Sequence, residues 1–184
     1  MCCSGSWWVD AVAAALLVLP LTRLALCLPL SRSQEDCQAF GPQAPLEIQF
    51  EFFVPLQFAK EALTITGEHA SQWGTLALYN EVRVIAADNL WLSPSTIDGQ
   101  DTLAIAFGMD KEQEPAAMKA AGKLEAALAQ FGAKPHWAKL TTLSLAQLEE
   151  RYGEKLVKFR KLAAELDPAG KFKNEWSKRY VLGK

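Results

Sequence analysis

Hydrophobic and polar positions along the chain follow two different periods, and the change from one to the other outlines the fold. In "LEIQFEFFVP", Ile48, Phe50 and Phe52 share one face while Gln49 and Glu51 share the other, the period of a half-buried strand stopped by Pro55. A short helical run from about Gln57 follows. "TLALYNEVRVIAAD" alternates again, with Leu76, Leu78, Val82 and Val84 on one side and Tyr79, Glu81, Arg83 and Ile85 on the other. In "TLAIAFGM", Leu103, Ile105, Phe107 and Met109 oppose Thr102, Ala104, Ala106 and Gly108. Three strands without long helical crossovers predict an antiparallel sheet.

The period then becomes helical. Pro115 suits a first helical position, Met118, Ala121, Leu124, Leu128 and Phe131 form a stripe, and Gly132 stands where a left-handed C-cap is expected. Ser144 and Gln147 have capping-box spacing, with Leu143 and Leu148 placed to form a hydrophobic staple, so a helix should begin at Ser144. A further stripe, Leu156, Phe159, Leu162 and Leu166, ends at Asp167-Pro168, because proline disfavours helix in the residue before it. The expected fold class is α+β, a mainly antiparallel sheet with helices packed on it and an apolar helical segment at the N-terminus.

The 184 residues, half of them hydrophobic, carry a net charge of −2, which suits one globular core and excludes a chain-wide basic surface for nucleic acid. The basic end, Lys171, Lys173, Lys178, Arg179 and Lys184 against Glu175, lacks interleaved aromatics and reads as solvated. All four cysteines, Cys2, Cys3, Cys27 and Cys37, precede the body, which excludes a disulfide framework there; with no CxxC, and with His69 and His136 far away in sequence, no metal site is expected.

Residues 1–43 form an apolar segment and polar linker, and residues 44–184 form the domain. Ala11 to Thr22 is long enough for a signal-peptide core but follows Asp10 with no positive leader. Extension through residue 30 places Arg23 and Pro20 inside a poor spanning helix. Three readings stay open for this segment: membrane association or targeting through residues 11–30, a buried or partner-facing helix, or a non-native start from a truncated or mispredicted reading frame. Localisation is accordingly left between membrane-associated and cytoplasmic.

Glu81 and Arg83 leave the same strand face about 6 to 7 Å apart along the backbone. They can pair with each other or grip a sugar-like ligand, the carboxylate accepting from hydroxyls and the guanidinium donating. If the Ala104, Ala106 and Gly108 face lies beside them, small residues leave room for a pocket; the alternative is close approach of a helix. His136 and Lys139 lie three apart in a loop that Pro135 keeps from being helical, with Trp137 between them as an expected core anchor.

"KPHWAKL" followed by "LAAELDPAGKFKNEW" resembles the C-terminal substrate domain of the flavin-dependent sugar-lactone and alditol oxidases, the family of D-arabinono-1,4-lactone oxidase and alditol oxidase. The resemblance rests on His136, Trp137 and Lys139, then on Asp167, Pro168, Gly170, Phe172 and Asn174, and extends to "EFFVP" and "NEVRVIAADNLWLSP". It implies FAD, held mainly by a separate flavin-binding half, with hydride transfer from a sugar lactone or polyol and O2 reduced to hydrogen peroxide. It also implies that Glu81 and Arg83 bind substrate hydroxyls and that Lys139 and His136 are catalytic and cofactor-facing. The alditol-oxidase branch carries histidine and threonine where Ala106 and Gly108 stand. About 43 residues before the domain are too few for a flavin-binding half, and no GxGxxG loop is present. The competing expectation is a non-catalytic descendant that acts as a binding module without flavin.

Overall fold

The structure is a computed structural model that describes residues 47–183. The expectations for the apolar leader, its membrane association through residues 11–30 and the boundary at residue 43 lie outside the described residues. Among the described residues no helix is long and apolar enough to cross a membrane.

Strand β1 (Glu47–Pro55) leads through a 3-10 turn (Leu56–Phe58) into helix α1 (Ala59–Glu68) and a single-turn helix α2 (Ala70–Trp73). Strands β2 (Ala77–Ile85) and β3 (Thr102–Asp110) follow, then α3 (Glu114–Leu128), the short β4 (Lys134–Pro135), α4 (Leu145–Leu166) and a terminal turn, α5 (Glu175–Ser177). The strands form one antiparallel sheet in the order β2-β3-β1-β4. The α+β expectation therefore holds over the described residues.

The strand periods decide what each face buries. Phe50, Phe52 and Val54 of β1 and Leu103, Ile105, Phe107 and Met109 of β3 pack with Ala117, Ala121, Leu124 and Leu128 of α3 in one core. Each large side chain buried there contributes roughly 1.5–3 kcal/mol relative to exposure. On α3 the stripe lies where its spacing predicts, and the chain leaves through Gly132 at φ 69°, ψ 23°, the left-handed conformation that glycine adopts without a Cβ penalty.

Two expectations need correction. A bulge between Ala77 and Tyr79 shifts the register of β2, so Leu76 and Ala77 both pack on the core while Leu78 leaves the alternation. Val82 and Val84, on the core-side phase of β2, are half-exposed because β2 is the sheet edge. The second correction concerns α4. It starts at Ser144 with the capping box to Gln147 in place, but Gly153 breaks it at φ 50°, ψ −131°. Leu148, Tyr152 and Leu156 build a second cluster with Leu143, Val181 and Trp137, whereas Leu162 and Leu166 of the later stripe stay exposed.

On the face of the sheet opposite the helices, two of the small β3 residues lie under neighbouring side chains. Ala104 is buried with Phe53 and Ile97, and the Tyr79 ring lies over Gly108 so closely that a Cβ there would come within 2.2 Å of it. Ala104 and Gly108 thus receive neighbouring side chains, where the sequence offered either room for a pocket or close approach of a helix. Tyr79 donates to Glu47 and accepts from the Gln49 amide at 2.7 Å. Burial, reinforced by the hydrogen bond to Glu47, raises its pKa well above the ordinary tyrosine value.

Lys134 on β4 is buried. Its ammonium donates to the Thr96 carbonyl at 2.9 Å and lies 4.4 Å from the centroid of the Tyr152 ring. Burial, followed by the nearby Lys155 charge, pushes its pKa down from 10.5 to about 8. Between those values the unfolded chain holds a proton that the folded chain has released, so stability rises with pH across that window. Burial raises the Tyr152 pKa, as it does that of Tyr79, and both oppose the rise once unfolded tyrosine ionises near pH 10.

Urea unfolding of the chain should show a gain on the order of 2 kcal/mol between pH 8 and pH 10 that Lys134→Met abolishes; a pH slope unchanged in the variant would remove Lys134 as its source. Gly108→Ala should cost about 1–3 kcal/mol by displacing the Tyr79 ring, seen as a lower urea midpoint at constant m-value.

Candidate functional site

Cross-strand register sets out the polar face row by row. Glu51 of β1 stands opposite Ala106 of β3, which stands opposite Glu81 of β2; the next row is Phe53, Ala104 and Arg83. Two glutamates therefore flank one alanine. Arg83 leaves the adjacent row and reaches diagonally across β3 to Glu51, its Nη2 donating to Oε1 at 2.7 Å, while the same nitrogen lies 3.8 Å from Glu81 Oε2. Neighbouring strands lie about 4.8 Å apart, so this pair spans nearly 10 Å of sheet. It can do so because β3 presents only Ala104 and Ala106 beneath it.

The loop after β4 brings the fourth charge. Phe53 pairs with Lys134, the His136 N–H donates to the Glu51 carbonyl at 3.0 Å, and the Leu140 N–H donates to the Gln49 carbonyl at 2.9 Å. The loop thus continues along the edge of β1 and sets the Lys139 ammonium 3.7 Å from Glu51 Oε2. Glu51 is only 3% exposed, and its two oxygens face one cation each. All of the sequence-nominated residues, Glu81, Arg83, His136 and Lys139, occupy this one side of the sheet. The residue that brings them together, Glu51, was visible in sequence only as one of two polar positions on a strand face.

Buried polar contacts hold the loop in place. Glu125 of α3, itself buried, accepts from Thr141 Oγ1 at 2.6 Å, from the Thr142 N–H at 2.8 Å and from the Thr142 hydroxyl. Arg151 donates to the Ala133 carbonyl at 2.7 Å from the far side. Trp137 is the core anchor its loop position suggested: its indole N–H donates to the Leu92 carbonyl at 2.7 Å, and its ring packs 4.7 Å from Tyr152. With Trp137 held below the loop, Lys139 projects to the other side.

His136 packs against Phe53 with ring centroids 6.0 Å apart. Its Nδ1 accepts from the Ala138 N–H at 3.0 Å, which leaves the proton of the neutral ring on Nε2. Burial lowers its pKa; Glu51 opposes that shift, and Lys139 and Arg83 add to it. At neutral pH the ring is uncharged and the site's cations are Arg83 and Lys139.

The segment from Asp167 to Asn174 serves chain geometry. Asp167 accepts from the N–H groups of Lys171 and Phe172, and Asn174 caps α5 reciprocally with Ser177. Trp176, just beyond it, packs against Trp137. Among the described residues no cluster of three or more histidine, cysteine, aspartate or glutamate side chains is placed to hold a metal ion.

Arginine, lysine and glutamate side chains converging on a strand face can donate to and accept from hydroxyl groups, and an ammonium there can stabilise developing negative charge. Comparison with known proteins places the chain in a family. Residues 46–180 match the family described as D-arabinono-1,4-lactone oxidase. Alditol oxidase from Streptomyces sp. (strain IKD472 / FERM P-14339) is 40% identical over 144 residues, covering 78% of this chain and 34% of the relative. A Neurospora crassa protein provisionally named D-arabinono-1,4-lactone oxidase is 38% identical over 53 residues, 29% of this chain and 10% of the relative. The chain spans about a third of the length of the Streptomyces protein. Because the family match covers most of the chain and takes in both the charged strand face and the lysine loop, the chain belongs to the D-arabinono-1,4-lactone oxidase family.

Proposed function

We propose that this chain is the substrate-covering part of an FAD-dependent oxidase of sugar lactones or alditols, completed by a flavin-binding half outside it. The observation that carries this reading is the meeting of Arg83 and Lys139 at the carboxylate of Glu51, on the face that also holds Glu81. Bound FAD would supply a hydride acceptor, with O2 as the final oxidant and hydrogen peroxide as the product. The donor set fits such a group: Lys139 keeps part of its side chain exposed while its charge is held in place, and His136 offers an Nε2 proton from the same loop.

The roles follow from geometry and charge. Glu81, exposed along much of its side chain, accepts hydrogen bonds from substrate hydroxyls. Arg83 uses Nη2 on the glutamates and directs its remaining N–H groups to the substrate, fixing which carbon faces the oxidant. Lys139 would hold positive charge beside the reacting oxygen, which stabilises the negative charge left there as the hydroxyl proton passes to solvent and the carbon gives its hydride to the bound flavin. His136 stays neutral and shapes the loop that presents Lys139.

Expressed with the part of Streptomyces alditol oxidase that lies outside the matched segment, the chain should yield a yellow complex that releases peroxide with a sugar lactone or polyol. A colourless, inert complex would oppose this reading. In an active complex, Lys139→Ala should slow flavin reduction by about 10²–10⁴-fold and lower the thermal midpoint as Glu51 loses one of its two cations; equal reduction rates in variant and parent would remove its role. Arg83→Ala should raise KM by roughly tenfold or more through the lost donor fork, and an unchanged KM would count against a substrate site on this face.

A further inference from the structure

Glu51 is the one member of the charged array with no route to solvent. It is 3% exposed, whereas Arg83 and Glu81 are each open over nearly half of their side chains and Lys139 over about a fifth. Its position beside two cations has a consequence for what can bind. With Glu51 and Glu81 against Arg83 and Lys139, and with His136 uncharged, the formal charges of this cluster cancel, and Glu47 farther along the same face adds a further carboxylate.

We infer that Glu51 determines specificity: its buried charge makes this face a site for neutral, hydroxyl-bearing ligands and turns away the corresponding sugar carboxylates. The inference rests on the proposed function, since it assumes that the ligand sits on this face. A hydroxyl group can accept from a free N–H of Arg83 and donate to the exposed oxygens of Glu81 without disturbing any ion pair. A carboxylate would seek the same guanidinium and ammonium, which Glu51 already holds at 2.7 and 3.7 Å. Displaced from them, Glu51 could not turn to water and would remain a buried, uncompensated charge. Left in place, it would repel the incoming anion at short range, and Glu81 would add to that repulsion. Ala104 and Ala106 are essential to the device, because any longer side chain on β3 would stand between Arg83 and Glu51.

The test needs neither flavin nor turnover, so its failure is distinguishable from failure of the oxidase reading. The full chain, its Glu51→Gln and Glu51→Asp variants would be titrated at low salt with D-gluconate and with sorbitol, the neutral polyol of equal carbon number, following amide and arginine side-chain resonances. Glu51→Gln should bind gluconate about tenfold or more tightly than the parent, with sorbitol affinity changed by less than about threefold; Glu51→Asp, which keeps the charge, should resemble the parent. The gain should vanish near 0.5 M salt, where such charges are screened. Should Glu51→Gln fail to fold, Glu81→Gln removes the second negative charge and should give a gain of roughly threefold. No gain in gluconate affinity, or an equal gain for sorbitol, would overturn the inference.

Discussion

One buried carboxylate organises the polar side of this domain. Glu51 lies within a sheet whose opposite face is filled by phenylalanine, and an ionised group in such a place is costly unless paired. Two cations meet that requirement from opposite directions, one crossing the central strand and one arriving on the loop beyond the sheet edge. The pairing works both ways: the carboxylate needs the cations to be tolerated, and the cations gain a fixed separation from it. A site with defined geometry therefore follows from the need to satisfy a single charge.

The fixed separation depends on how the rest of the fold restrains the loop. Backbone hydrogen bonds to Glu51 and Gln49 set the loop's height along β1, and Glu125 grips it at Thr141 and Thr142. Trp137 and Lys134 turn to the other side, where they join the cluster around Tyr152. Two pairs of residues in one short segment, each pair three apart, thus serve two environments, Lys134 and Trp137 an aromatic cluster and His136 and Lys139 the charged face. Such division of labour explains how a loop with little regular structure can place a lysine within 4 Å of a chosen oxygen.

Membership of the D-arabinono-1,4-lactone oxidase family gives this arrangement its context. Helices α1 and α3 fill one side of the sheet, and the opposite side carries the charged cluster beside a small apolar one of Phe53, Ile97 and Ala104.

Much of this was legible in the residues themselves. Alternation over 48–54 and 102–109 separated the side chains that meet the helices from those on the other face, because a strand's side-chain period is two; that both faces of β1 and β3 are covered, so that Phe53 is buried as well, lay beyond it. The capping box at Ser144 and Gln147, the left-handed Gly132 and the stop at Asp167 were likewise local, each resting on hydrogen bonds or dihedral limits within a few residues. His136, Lys139, Glu81 and Arg83 could be nominated by type and spacing. Their convergence could not, for it depends on strand order and on a bond between residues 32 apart in sequence. The bulge in β2, the Tyr79 ring over Gly108 and the burial of Glu51 also belong to tertiary structure alone. A strand pattern states which face a residue takes; only the packed neighbours decide whether that face meets water, a ring or an opposite charge.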